Sequence, residues 1–118
     1  MDYTLYRKTF FYADIIVLKD DGTPQDVTGW TFDSLIKATP TASAALTTLT
    51  NTASLSATGI RLVDAANGAI RYQVSMADTD ALPTADALAY DLIGTDGSGA
   101  KSWEQAGSIE SKTTVTLG

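Results

Sequence analysis

Apolar and polar residues alternate along this chain with a period of two far more often than they recur at helical spacing, and β-branched residues, aromatics and turn dipeptides recur throughout. The first segment, about Tyr3 to Lys19, is rich in Tyr, Phe, Ile and Val. Within it Phe10, Tyr12, Asp14, Ile16 and Leu18 share one strand face, and Phe11, Ala13, Ile15 and Val17 share the other. Both faces are largely apolar, which predicts a strand with neighbours on both sides. Asp20-Asp21-Gly22-Thr23-Pro24 then supplies a turn.

A second alternation, with Trp30, Phe32 and Ser34 opposed to Thr31, Asp33 and Leu35, predicts a strand from Trp30 to Lys37. From Ala38 to Thr58 the chain turns to Ala, Thr and Ser. That stretch reads either as two weak strands around a turn near Asn51 or as a mobile loop, even an arm that orders on assembly. Gly59–Val63 and Ala69–Ser75 flank Asn67-Gly68, a hairpin signal. Met76 to Thr84 is the one helical turn predicted, capped by Asp78 and Thr79 and ended by Pro83. Ala87–Thr95 alternates through Leu88, Tyr90 and Leu92 and meets a turn at Asp96-Gly97-Ser98-Gly99. A strand near Lys101–Gln105 follows, then a last one from Gly107 to Leu117 through Ile109, Thr113, Val115 and Leu117. The expected fold is an all-β, immunoglobulin-like sandwich of about seven strands with one short helical turn.

Length and composition narrow the picture. The 118 residues fit a single domain, 1–118, and 44% hydrophobic residues suffice for a core. The formal net charge of −6, with eight scattered basic residues, argues against nucleic acid or a membrane as partner. The longest apolar run is Ile15-Ile16-Val17-Leu18, far below the roughly 18 residues of a membrane-spanning helix. Met1-Asp2-Tyr3 opens into strand-like sequence without a basic-then-apolar secretory segment, so synthesis in a cytoplasm is expected.

Candidate chemistry is thin. The chain has no Cys and no His, which removes disulfides, the Ser-His-Asp and Cys-His arrangements and the common zinc sites. Glu104 and Glu110 share a strand face but stand roughly 20 Å apart by strand rise, too far for a glycosidase pair. Gly94–Ser102 resembles a phosphate loop only superficially, because Ala100 separates the last Gly from Lys101 and strand follows where a helix should open. Neither Asp20, Asp21 and Asp26 nor Asp78, Asp80 and Asp86 has the spacing of a calcium loop. We therefore expect no enzyme, no metal and no cofactor. The aromatic group Tyr3, Tyr6, Phe10, Phe11 and Tyr12 has two readings: core, or the anchors of an interface in which Tyr6, Phe10, Phe11 and Tyr12 take part.

The order of segments resembles the immunoglobulin-like domain at the N-terminus of phage baseplate upper proteins and in related small phage virion proteins. The resemblance is carried by Asp20-Asp21-Gly22-Thr23-Pro24, Asp26-Val27-Thr28-Gly29-Trp30, Asn67-Gly68-Ala69-Ile70 and Ser75-Met76-Ala77-Asp78-Thr79-Asp80-Ala81-Leu82. It continues through Ala89-Tyr90-Asp91-Leu92 and the closing strand to Val115-Thr116. Where the family has Gly before its first long strand, this chain has Arg7-Lys8-Thr9. The resemblance implies a structural part of a phage or prophage particle, located in the virion. Its expected place is the tail or baseplate, packed against other virion proteins and against its own copies as a homo-oligomer. In it Gly22, Gly29 and Gly68 serve turns, Trp30 and Tyr90 fill the core, and Asp78-Thr79 caps the helical turn. Two alternatives stand beside it. One is a head decoration or head-completion protein. The other is a carbohydrate- or receptor-binding module, which would need Trp30 or Trp103 on the surface.

Overall fold

The computed structural model describes residues 2–113. Two sheets stack face to face. One has five strands in the order β1 (Asp2–Tyr6), β8 (Lys101–Lys112), β7 (Ala85–Thr95), β3 (Thr31–Lys37), β4 (Thr47–Leu49). The other has three, in the order β2 (Phe11–Ile16), β6 (Ala69–Val74), β5 (Gly59–Asp64). All neighbours are antiparallel except β1, which runs parallel to β8. The predicted all-β sandwich is therefore the fold, with eight strands among the described residues where about seven were expected.

The core forms where the inward faces meet. Phe32 and Ile36 from β3 and Leu88, Tyr90 and Leu92 from β7 face Phe11 and Ile15 from β2 and Ile70, Tyr72 and Val74 from β6. Tyr72 crosses the gap: its ring packs against Tyr90 at 5.9 Å and its hydroxyl meets Ser34 Oγ at 2.7 Å. Ser34 also donates to the Asp91 carbonyl. Burial pushes the Tyr72 phenol well above its ordinary pKa, so it stays neutral and available as a hydrogen-bonding group.

Several expectations need correction. The Tyr3–Lys19 segment is two strands in different sheets, broken at Arg7–Phe10, where Lys8 takes the left-handed conformation (φ 66°). Among the described strands β2 has one in-sheet neighbour, β6, and its outward face, with Tyr12 and Ile16, is exposed and not buried. Ala38–Thr58 contains one strand, β4, followed by a bridge from Asn51 to Ile60 that carries the chain from one sheet to the other. The rest of it is tied down as well: buried Gln73 donates from Nε2 to the carbonyls of Ser54 and Ala57, both at 3.0 Å. The two predicted closing strands are one, β8, because Gly107 pairs with Tyr90 in unbroken register. Val115 and Leu117 lie outside the described residues.

The helical turn α1 (Met76–Ala81) is present, but Ser75 caps it, accepting from the Asp78 amide at 3.2 Å. Asp78 and Thr79 turn elsewhere. Asp78 accepts from the Thr58 hydroxyl, and buried Thr79 donates to the Thr9 carbonyl at 2.7 Å, fixing α1 against the turn before β2. Trp30 is only partly buried, against Phe32 (6.1 Å), whereas Tyr90 lies in the core as expected.

Gly22 and Gly29 adopt positive φ in exposed turns, and Gly68 does so in a buried one. Gly68 follows a single 3-10 turn (Ala65–Asn67), and a Cβ on it would lie 2.7 Å from the carbonyl oxygens of both Gln25 and Val17. Backbone cannot yield there as a flexible side chain can. Gly68→Ala should therefore destabilise the fold by about 2–4 kcal/mol, from left-handed strain together with overpacking, read as a lower urea midpoint at unchanged slope.

Candidate functional site: the outward face of the three-stranded sheet

Alternation places Tyr12, Asp14 and Ile16 of β2 outward, opposite Gln73, Arg71 and Ala69 of β6. Leu18 and Val63 extend the same face. Tyr12, Ile16, Leu18 and Val63 are 53%, 50%, 48% and 47% exposed, high for large apolar residues gathered on one side of a small sheet. Phe10 stacks on Tyr12 with centroids 6.1 Å apart. Arg71 crosses the middle: its guanidinium carbon sits 4.5 Å above the Tyr12 ring while Nε donates to Asp14 Oδ1 at 2.7 Å. That hydrogen bond raises Arg71 above the ordinary guanidinium pKa. The face thus gathers exposed apolar side chains around the Asp14–Arg71 pair, with Arg61 of β5 opposite Arg71 and donating to Gln73.

The predicted interface group divides. Phe11 belongs to the core, packed on Tyr3 at 6.1 Å. Tyr6 is exposed but lies on β1, in the other sheet. Only Phe10 and Tyr12 belong to this face, and Ile16, Leu18, Val63, Arg71 and Asp14 are the residues that sequence reasoning left out. The signal for them is the apolar second face of β2, which the sequence leaves open between core and interface.

The other sheet presents a different surface. Ala89 and Ala106 are small, and with Leu35, Lys37, Pro40 and Gly107 they border a shallow groove of about 450 Å³. Asp91 beside it is occupied, accepting from the Leu35 amide at 3.0 Å. Glu104 pairs with Lys101, and Glu110 lies 3.6 Å from Lys112. Among the described residues no group of three or more Asp or Glu side chains is placed to hold a metal ion.

Gly94–Ser102 is a hairpin turn organised by Asp96. Its Oδ1 accepts from the Ser98 amide (2.9 Å), the Ser98 hydroxyl (2.6 Å) and the Ala100 amide (3.1 Å), and its Oδ2 from the Ser102 hydroxyl (2.7 Å). The hydroxyl bonds of Ser98 and then Ser102 hold the carboxyl down at about 2.

No protein-family model matches the sequence, and no curated protein matches it.

A carboxyl depressed by folding stabilises the folded state above its unfolded pKa of about 3.9, and that contribution fades as pH falls toward the folded value of about 2. Asp96→Asn should therefore be less stable than the wild type at neutral pH and should converge with it as pH drops from about 4 to about 2. Urea midpoints measured across that range check this, and a constant difference would contradict it.

Proposed function

We propose that this protein is a structural component of a phage or prophage particle, placed in the tail or baseplate and working by packing against other virion proteins and its own copies. The observation that carries the reading is the group of exposed large apolar side chains on the outward face of the three-stranded sheet, Tyr12, Ile16, Leu18 and Val63, beside the part that residues 54–57 cover, a surface suited to permanent contact.

The strand distribution supports the immunoglobulin-like part of the reading. β3, β7 and β8 lie in one sheet, with β4 added at its edge, and β2, β6 and β5 lie in the other. Immunoglobulin-like sandwiches divide their C, F, G and B, E, D strands in this way. The chain also reaches this fold without disulfides, in keeping with folding in a bacterial cytoplasm before assembly. The charge of −6 and the scattered bases favour protein over nucleic acid or membrane as partner. The carboxylates weighed for chemistry have structural partners: Asp91 accepts from the Leu35 amide, Asp96 organises its turn and Glu104 pairs with Lys101, so they lend an enzymatic role no support. The carbohydrate-binding alternative needs an exposed tryptophan, and both Trp30 and Trp103 are partly buried around Phe32.

Mass spectrometry of purified particles from the strain that encodes the chain, with heads and tails separated, tests the proposal. The expected result is many copies in the tail fraction. Recovery with heads would favour the decoration or completion alternative, and absence from intact particles would overturn the structural reading.

A further inference from the structure

β2 carries a second feature besides its apolar face. The Val17 amide donates to the Gly68 carbonyl at 2.9 Å, on the β6 side. Backbone groups alternate in direction along a strand, so those of Phe11, Ala13 and Ile15 also point to β6. The amides and carbonyls of Tyr12, Asp14 and Ile16 then point the other way, to an edge that no described strand occupies.

The other sheet edges are blunted. β4 is only three residues long. β5 is covered by the chain at Asn51, with Thr52 N to Ile60 O and Ile60 N to Thr50 O both at 2.9 Å. On β1 the outward side chains Asp2 and Thr4 are polar and bonded to Ser108 and Glu110, and Tyr6 at its end is the one exposed aromatic of that strand. β2 has no proline, lysine or bulge, the usual devices against edge pairing. Its only charge, Asp14, is neutralised by Arg71.

The outward residues of this strand are symmetric in character about Asp14: Phe10 and Tyr12 on one side, Ile16 and Leu18 on the other. A two-fold axis at Asp14 makes residue i meet j and j meet i, and with this sequence every such pair on either side of Asp14 sets an apolar residue against an apolar one. We infer that β2 pairs antiparallel with β2 of a second copy of this chain across a two-fold axis at Asp14, joining the two three-stranded sheets into one. Tyr12 then lies opposite Ile16 of the other copy, and Phe10 opposite Leu18. The two Asp14 carboxylates face each other, each held by its own Arg71, so the like-charge cost of a directly opposed pair is offset. Phe11 and Tyr6 take no part. This inference rests on the proposed packing of the chain against its own copies and gives that contact a site, while its test, made on the isolated protein, can fail without bearing on whether the chain occurs in particles.

Sedimentation and single-cysteine cross-linking test it. The cysteine-free chain makes each introduced thiol unique. In a hydrogen-bonded antiparallel pair the Cα atoms sit about 5.5 Å apart, within disulfide range. Asp14→Cys should therefore cross-link on mild oxidation, whereas Glu104→Cys, on the opposite sheet, should not. The wild type should sediment as a dimer. Ile16→Pro removes only an edge-pointing amide and should weaken self-association roughly 30-fold or more, as expected for a central interface residue, with the far-ultraviolet circular dichroism unchanged. Ile16→Lys should act likewise if proline disturbs the strand. A monomeric wild type at hundreds of micromolar, a dimer unaffected by Ile16→Lys, or equal cross-linking at both thiols would overturn the inference.

Discussion

Two sheets that share no disulfide must be held in one relative position by packing and by whatever polar contacts survive burial, and here the polar contact is Tyr72. A buried phenol left unpaired costs about as much as a lost hydrogen bond, so its position is constrained more tightly than an aliphatic one. Tyr72 reaches across the core to Ser34, and Ser34 reaches on to the Asp91 carbonyl in the neighbouring strand. One chain of contacts therefore links β6, β3 and β7. Aromatic neighbours extend it: Tyr90 packs on Tyr72 and Tyr3, and Tyr3 packs on Phe11. Gln105 donates to both the Tyr3 and Tyr90 hydroxyls, so the polar tips of this aromatic group are satisfied while its rings remain dry.

With the sheets fixed, the remaining physical problem is their edges and outer faces. The five-stranded sheet covers its outer face with small residues and paired charges, Ala89, Ala106, Glu104 with Lys101, and Glu110 near Lys112. The three-stranded sheet cannot do the same everywhere. Gln73 points outward yet is fully buried, because residues 54–57 fold over it and take both of its amide hydrogens. Cover thus comes from the chain itself on the β5 side, whereas Tyr12 and Ile16 of β2 are exposed among the described residues.

The strands and most turns were legible because alternation and turn chemistry are local. β3, β6 and β7 follow the predicted limits closely, and Asp96 and Gly68 act where turns were read. What was not legible depended on partners far along the chain. Apolar residues on both faces of β2 are equally consistent with burial on two sides and with one buried and one exposed face, and only the packing of the two layers, which leaves Tyr12 and Ile16 exposed, separates the two. The break at Lys8 was hidden because a non-glycine residue occupies a left-handed position. The helix cap was misassigned because Ser75, Asp78 and Thr79 are all good capping types, and distant Thr58 and Thr9 draw the latter two away. Gly107 reads as a strand end by composition, whereas pairing with Tyr90 carries the strand through it.

These observations bear on how a small chain of this kind can recognise anything. Its ionisable groups are largely engaged in turns and local pairs, Asp21 with Thr23, Asp26 with Thr28, Asp14 with Arg71. Specificity then has to come from shape and from backbone direction, and a strand edge supplies both: hydrogen bonds at fixed intervals, and side chains whose alternation sets the register. An aliphatic edge without charge would pair in several registers. A pairing shifted by two residues would set a carboxylate against Ile16 or Tyr12 and lose two apolar contacts, whereas the pairing centred on Asp14 keeps all of them and opposes two carboxylates whose charge Arg71 offsets. The one polar residue on the strand therefore does for register what the apolar residues around it do for affinity.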